Sequence, residues 1–345
     1  MIMSAATLPT TMTTPLKLDD ASAQRLCCPV CKGPLHQEAD HFHCESSACG
    51  PSFPIINGTP ILINEANSIF SIADYSQQAK TYFTPKKASE QSPSLLKRCR
   101  KSLTRWLIPP IDHNIKSERN FAKLAKLLQA DTPVPRVLVV GGSVLGQGLA
   151  ALQKSGAVQF IETDVSLSDS VKLISDAHDL PFAENTFDGV IVQAVLEHVV
   201  DPYRCVAEIH RVLKPNGIVY AETPFMQQVH GAAYDFTRFS HLGHRRLFRH
   251  YAEIESGAAC GPGMALAWSY KYFLTSFLTR NTPNFVRTII NTFANVSSFW
   301  LKYFDYYLID KPGSLDAASG YYFFGRKSSE TISDKEIIKL YRGCI

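Results

Sequence analysis

Four cysteines stand in two close pairs, Cys28-Pro-Val-Cys31 and Cys44-Glu-Ser-Ser-Ala-Cys49. Two tight knuckles at this spacing can present four thiolates to one tetrahedral zinc ion, so Cys28, Cys31, Cys44 and Cys49 are the expected metal ligands. Cys27 and His43 are substitutes that fit the spacing less well, while Cys99, Cys205, Cys260 and Cys344 stand alone and read as ordinary thiols.

A second group could hold a nucleoside-bearing cofactor. The apolar run Val137-Leu-Val-Val140 leads into Gly141-Gly142-Ser143-Val-Leu-Gly146-Gln-Gly148, a loop whose small residues let a ligand approach the backbone at the end of a strand. About twenty residues on, Gln159-Phe-Ile-Glu-Thr-Asp164 ends in an acid that can accept hydrogen bonds from both ribose hydroxyls. Asp164 is the first candidate and Glu162 the second. The competing reading is that Asp164 only caps the turn at Val165-Ser166.

A third group gathers acid, base, phenol and guanidinium within Glu222 to Phe239. His230 is the first candidate for a general base and His198 the alternative, with Tyr234, Asp235 and Arg238 orienting a substrate. His230 could instead tie down a loop, and Asp235 could pair internally with Arg238. His241, His244 and His250 read as polar positions of a helix in Arg-rich surroundings.

These residues need a scaffold. Strands are expected at Val137–Val140, Val158–Glu162, Val171–Ser175, Phe187–Val192, Ile218–Glu222 and Tyr321–Gly325, and helices at Pro202–Leu213 and Leu242–Tyr251. The alternation argues for a mostly parallel sheet with helices on both faces. Near the start, Phe53-Pro-Ile-Ile-Asn-Gly-Thr-Pro-Ile-Leu-Ile63 reads as two short strands turning at Asn57-Gly58.

Two resemblances follow. The segment from Cys28 to Ile63 resembles the zinc-ribbon module of small activator proteins that partner tRNA and rRNA methyltransferases, which also occurs fused to bacterial methyltransferases; a structural zinc is its implied content. From Val137 to Thr223, the ordered motifs Asp176-Ala177-His178-Asp179-Leu180-Pro181-Phe182, Phe187-Asp188, Val195-Leu196-Glu197-His198 and Glu208 to Gly217 resemble the bacterial small-molecule type of class I S-adenosylmethionine-dependent methyltransferase. The stretch from Pro224 to Arg238 is similar to a segment of methyltransferases found among bacterial glycan and secondary-metabolite genes.

This likeness implies a Rossmann-like α/β domain with a mostly parallel seven-stranded sheet whose last strand is antiparallel. It implies S-adenosylmethionine as cofactor, with Gly141, Gly142 and Ser143 facing its methionine portion, Asp164 its ribose, Asp176 and Ala177 its adenine edge, and Gln193 and Ala194 lining the methionine side. Phe187-Asp188 and Arg211-Val-Leu213 read as scaffold. Two departures stand out: the family's acid inside the first strand is Val139 here, and too few residues separate Asp164 from Val171 for the usual crossover helix. That shortening predicts an irregular link and an open adenine pocket.

The expected organisation is a disordered tail at 1–22, the zinc ribbon at 23–66, a linker and entry helix at 67–117, the methyltransferase domain at 118–330 with a helical insertion or cap at 264–310, and a C-terminal tail or helix at 331–345. The function expected is methyl transfer to an oxygen or nitrogen nucleophile of a small molecule or glycan. One alternative is tRNA or rRNA methylation, suggested by the ribbon and the basic stretch Lys80 to Arg105. A net charge of +4 on 345 residues gives it little support, as does Gln193-Ala-Val-Leu at the fourth strand end, where many base-amine methyltransferases carry an N-P-P-Y-like tetrapeptide. Another alternative is a protein that binds the cofactor and cyclises or cleaves it, or acts as a non-catalytic partner.

No apolar run is long enough for a membrane span, and the N-terminus lacks a signal-peptide pattern, so a cytoplasmic protein is expected. The aromatic-rich region Met264 to Phe304 suits a helical cap, a homodimer surface or shallow membrane contact.

Overall fold

The computed structural model describes residues 15–77, 81, 83, 110–144, 146, 148–154, 156 and 158–344. The basic residues of the stretch from Lys80 to Arg105, and Cys99, lie outside them.

Among the described residues, eleven strands form one sheet: β1 (Leu35–Glu38), β2 (His41–Cys44), β3 (Ser52–Ile56), β4 (Thr59–Leu62), β5 (Arg136–Val140), β6 (Gln159–Asp164), β7 (Leu173–Ser175), β8 (Phe187–Gln193), β9 (Leu213–Pro224), β10 (Tyr251–Cys260) and β11 (Gly320–Lys327), in the order β1-β2-β3-β4-β7-β6-β5-β8-β9-β11-β10. The run β7-β6-β5-β8-β9 is parallel, and β11 lies antiparallel between β9 and β10. This is the Rossmann-like arrangement with an antiparallel last strand.

The sheet is larger than the seven strands expected. β4 pairs in parallel with β7 at Ile61↔Ile174 and Leu62↔Ser175, which carries the N-terminal strands onto the edge of the main sheet. All of β4 is buried, the pattern of a parallel strand covered on both faces, and it protects an edge that β7 would otherwise leave open. Leu26, Phe42, Phe53 and Leu62 belong to the same apolar core as Leu138, Val190 and Val219.

Residues 15–22, expected to be disordered, are packed in place. Lys17 N donates to Gly58 O at 2.8 Å, Leu18 is buried, and Asp19 caps the short helix α1 (Asp20–Ala23).

Residues 165–172 link β6 to β7 without a helix. Instead, α2 (Ile72–Ser76) fills the space: Tyr75 is 1% exposed, packs with Val171 and Ile174, and donates its hydroxyl to Val165 O at 2.7 Å. Burying a ring of this size stabilises by about 2–3 kcal/mol.

Behind the sheet, α3 (Ser117–Asp131) buries Phe121, Leu124 and Leu128, and α4 (Leu149–Lys154) follows the glycine loop. Helix α5 (Pro202–Val212) starts on Pro202 with Asp201 accepting from Arg204 N, and buries Cys205, Val206, Ile209 and Val212 at helical spacing.

The helix expected to reach Tyr251 stops earlier. It is α6 (His241–Leu247), and Tyr251 instead opens β10. His241 and His244 are buried rather than on a polar face. Helices α7 (Pro262–Thr275) and α8 (Asn284–Ser298) form a hairpin that leaves Phe273, Phe277, Phe285, Ile289 and Phe293 exposed. Three short helices close the fold: α9 (Asp305–Leu308), α10 (Ser314–Ala317) and α11 (Asp334–Lys339). No helix among the described residues is long and apolar enough to cross a membrane.

Candidate active site

A cavity of about 550 Å³ opens at the carboxyl ends of β5, β6, β7, β8 and β9, where Val140, Asp164, Ser175, Gln193 and Glu222 contribute to its wall. Gly141, Ser143, Asp176, Ala177, Ala194 and His198 line it too. Ile69, Phe70 and Phe83, from the chain that leaves the N-terminal strands, complete the lining.

The glycine loop is shaped by its contacts. Gly141 has φ +81°, and a Cβ there would lie 2.3 Å from Val195 Cγ2. A Cβ on Gly142 would meet that of Glu162 at 2.8 Å, so Gly142 serves close packing behind the loop and is not part of the lining. The amides of Gly141 and Gly142 both donate to Thr163 O at 2.9 Å.

Asp164 accepts from Ser143 N at 2.9 Å and from Ser166 N at 2.8 Å. The turn-capping bond is thus present together with a bond that ties the acid to the glycine loop, and the carboxyl still lines the cavity. Burial pushes it above its ordinary value against those hydrogen bonds. Glu162 is engaged elsewhere, by Gln153 Nε2 at 2.7 Å and Lys172 Nζ at 3.1 Å.

Asp176 caps the next turn, accepting from His178 N at 3.0 Å and facing His178 Nδ1 at 2.5 Å. The other ring nitrogen, Nε2, accepts from Asp201 N at 3.0 Å. Ser68 Oγ donates to Asp176 at 2.6 Å. Burial raises the Asp176 carboxyl, but the bonds from His178 and Ser68 outweigh it and hold it below the usual value. Nearby, Asp179 accepts from Asn64, Asn67 and Arg204 at 3.0, 3.1 and 2.7 Å.

At the other end, Glu222 is a wall residue that the sequence reading left without a role. It accepts from Gln193 Nε2 at 2.7 Å, from Asn114 Nδ2 at 2.9 Å and from the Tyr220 hydroxyl. Burial raises its carboxyl. The signal was available, since the strand expected at Ile218–Glu222 ends on this acid; in β9 Glu222 lies in register with Gln193, the last residue of β8. Val139 is buried in the core and does not line the cavity.

His230, Tyr234, Asp235 and Arg238 stand outside the lining, around its rim. The His198 and His230 rings lie 5.0 Å apart, centroid to centroid, at 82°. The Asp235 carboxylate accepts from the amides of His230 and Gly231 at 2.8 and 3.0 Å, and Arg238 grips it through two bonds of 2.5 and 3.0 Å. Burial opposes its charge, yet the Arg238 guanidinium and those amides hold the Asp235 carboxyl far below the usual range. Asp235 and Arg238 thus form an internal pair that fixes the His230 loop. Tyr234 stacks on Phe70 at 6.1 Å and meets Phe83 edge-on at 5.6 Å, joining this loop to the lining. Helix α7 braces the loop from outside through Ser269 to Gln228 at 3.0 Å and Tyr272 to Val229 O at 2.6 Å. No residue of 264–310 is among those lining the cavity.

The cysteine cluster lies apart. Sγ atoms of Cys28 and Cys49 are 3.8 Å apart, those of Cys31 and Cys44 3.5 Å, and all four fall within 4.8 Å of one another. Four sulfurs about 2.3 Å from a tetrahedral zinc stand about 3.8 Å apart, so the set fits that ion. The Gly33 amide leads in lowering the Cys31 thiol to about 7, whereas desolvation leads in raising Cys28 and in pushing Cys49 up to about 12. This knuckle also touches the cofactor side: Lys32 Nζ donates to Leu180 O at 3.3 Å and to Glu208 at 2.9 Å, and Cys27 N donates to Pro181 O at 3.0 Å.

Residues 141–221, from the glycine loop through the body of β9, match the family model described as a methyltransferase domain. That part of the chain, less than a quarter of it, is similar to a methyltransferase domain. Among curated proteins, the ubiquinone/menaquinone biosynthesis C-methyltransferase UbiE of Desulfotalea psychrophila is 39% identical over 83 residues, 24% of this chain and 30% of that protein. The mitochondrial arginine-hydroxylase NDUFAF5 of Rattus norvegicus is 45% identical over 58 residues, 17% of this chain and 16% of that one. The chain spans less than a third of the length of either relative. A chain from the complex between the Haloferax volcanii Trm112 methyltransferase activator and a putative methyltransferase aligns at 20% identity and a TM-score of 0.37, covering 62% of this chain and 93% of that one. That likeness is too loose to bear on substrate or partner. The matched residues thus contain Asp164, Asp176, Gln193 and His198, while the cysteine cluster, Glu222 and the His230 loop lie outside them.

Proposed function

We propose that this protein transfers the methyl group of S-adenosylmethionine to an oxygen or nitrogen nucleophile of a small molecule or glycan. The observation that carries the reading is the placing of Asp164 and Asp176 at successive strand ends, in one cavity inside a methyltransferase domain. Asp164 would take the ribose hydroxyls, Asp176 and Ala177 the adenine edge, and the loop from Gly141 to Ser143 with Gln193 and Ala194 the methionine part. Glu222 supplies the acid that Val139 does not, positioned to pair with the cofactor's ammonium group. When bound, the cofactor supplies an activated methyl on a sulfonium; the chain's part is to bind it, align the acceptor and manage the acceptor's proton. His198 is the first candidate for that proton because its ring lines the cavity, with His230 behind it.

Cys28, Cys31, Cys44 and Cys49 would hold a structural zinc that fixes the edge of the sheet. The exposed face of α7 and α8 is the surface a homodimer would bury.

A second reading has one observation in its favour. A relative with 45% identity over 58 residues carries the name of a hydroxylase, and the second reading is therefore chemistry other than methyl transfer. Incubation with methyl-labelled S-adenosylmethionine and candidate hydroxyl or amine acceptors separates the two. Labelled acceptor with stoichiometric adenosylhomocysteine is the expected result. Methylthioadenosine, or cofactor left intact alongside an altered acceptor, would reject methyl transfer.

A further inference from the structure

We propose that Glu197, His198 and His230 form a site for a divalent transition-metal ion at the rim of the cofactor cavity. Glu197 is 1% exposed, and its Oε2 has no hydrogen-bond partner among the described residues. A buried carboxylate oxygen in that state costs several kcal/mol unless something satisfies it. Its other oxygen, Oε1, stands 3.7 Å from Nε2 of His198 and 3.7 Å from Nε2 of His230. Those separations are too long for hydrogen bonds, which lie at about 2.7–3.2 Å. They are close to the roughly 3.4 Å that separates two donors about 2.1 Å from one tetrahedral ion.

The outer nitrogens are arranged to match. His198 Nδ1 faces Tyr234 O at 2.7 Å and His230 Nδ1 faces Gln228 O at 3.2 Å. A carbonyl only accepts, so each Nδ1 is placed to donate, and Nε2 is the ring nitrogen turned toward Glu197. This is the outer-shell pattern that fixes metal-binding imidazoles. Gly231 permits the approach, since a Cβ there would come within 2.5 Å of the His198 ring, and Asp235 pins both amides of the His230–Gly231 turn.

Two imidazoles and one carboxylate suit zinc, iron(II), cobalt(II) or manganese(II), and leave positions for a further oxygen ligand. Because His198 lines the cavity, that position stands where an acceptor would meet the cofactor. Resting on the methyl-transfer reading, the ion would bind the acceptor hydroxyl and ease loss of its proton to water. The oxygen's electron pair then bonds to the methyl carbon, the carbon–sulfur bond breaks, and its pair stays on sulfur, which becomes neutral. The acceptor class is thereby narrowed to hydroxyl compounds, and with the ion bound the part given to His198 in handling the proton passes to the metal.

The test is equilibrium dialysis of the full chain against cobalt(II), with metal counted per chain and the visible spectrum recorded. Wild type should hold one thiolate-bound metal at the ribbon and one further cobalt without thiolate bands. Glu197→Gln, which keeps the shape of the side chain, and His230→Gln, on the half-buried rim, should each weaken uptake of the second ion at least ~100-fold while keeping the ribbon metal. Retention of the ribbon metal reports that the variants are folded. Wild type without a second equivalent, or variants that retain it, would overturn the proposal. Uptake is read without cofactor, so a failure of adenosylhomocysteine to bind would count against methyl transfer and not against this site.

Discussion

Ser68 donates its hydroxyl to Asp176 at 2.6 Å, linking the chain that follows β4 to the acid at the adenine end of the cavity. Asn64 and Asn67 reach Asp179 from the same segment, and Ile69 and Phe70 continue into the cavity wall. Segments at opposite ends of the expected domain boundary therefore make one site. Ser68→Ala removes one bond to a charged group, worth about 1.5 kcal/mol. Adenosylhomocysteine should bind up to about tenfold more weakly by calorimetry, and the melting temperature should fall by about 2–5 °C.

Metal removal should reach the cavity by the same route. Because β4 completes the sheet beside β7, Cys44→Ser or a strong chelator should lower the melting temperature by ~5 °C or more and weaken adenosylhomocysteine binding together. An independent ribbon would melt alone and leave cofactor affinity unchanged.

Glu222 distinguishes the two ends of the cofactor. Glu222→Gln keeps the bonding geometry near Gln193 and Asn114 but removes the charge that faces the methionine end. Its dissociation constant for S-adenosylmethionine should rise about tenfold. Adenosine, which lacks the ammonium group, should bind the variant as it binds wild type.

The buried histidines of α6 set an acid limit. His241 is lowered to about 4, first by burial and then by Arg342, and His244 to about 3, first by burial and then by His241 and Arg245. In the unfolded chain both titrate near about 6.5. Below that pH the unfolded state takes up protons the folded state refuses, so stability falls as pH drops from about 6.5 towards about 4, by up to about 1.4 kcal/mol per pH unit for each histidine. In urea unfolding, His244→Phe should lose about 1 kcal/mol less than wild type between about pH 7 and about pH 5.5.

Much of this was legible from local pattern. The glycine loop after Val140, the acids at Asp164 and Asp176 and the two cysteine pairs are each set by spacing within a few residues, and each occupies one compact place. What depends on tertiary contact was not. The parallel pairing of Ile61 with Ile174 joins residues more than a hundred apart, and nothing in Thr59-Pro-Ile-Leu62 names its partner, although the unbroken apolar run fits a strand covered on both faces. The short link after Asp164 suggested a gap because the filler, Tyr75, comes from before the domain. Strand β10 was missed because Tyr251 to Cys260 alternates weakly and is mostly half-buried. His230 looked like a base because residue type is visible in a sequence, whereas the direction of its Nε2 towards Glu197 is not.

The central claim is that Asp164 and Asp176 define a cofactor cavity. Calorimetric titration of adenosylhomocysteine into the wild-type chain and into Asp164→Asn tests it most directly. The expected result is one molecule bound per chain and an affinity at least ~10-fold lower in the variant, the loss of a charge-assisted pair of ribose hydrogen bonds. A folded wild-type chain that gives no binding heat and no thermal stabilisation, or a variant that binds as tightly as wild type, would contradict the account.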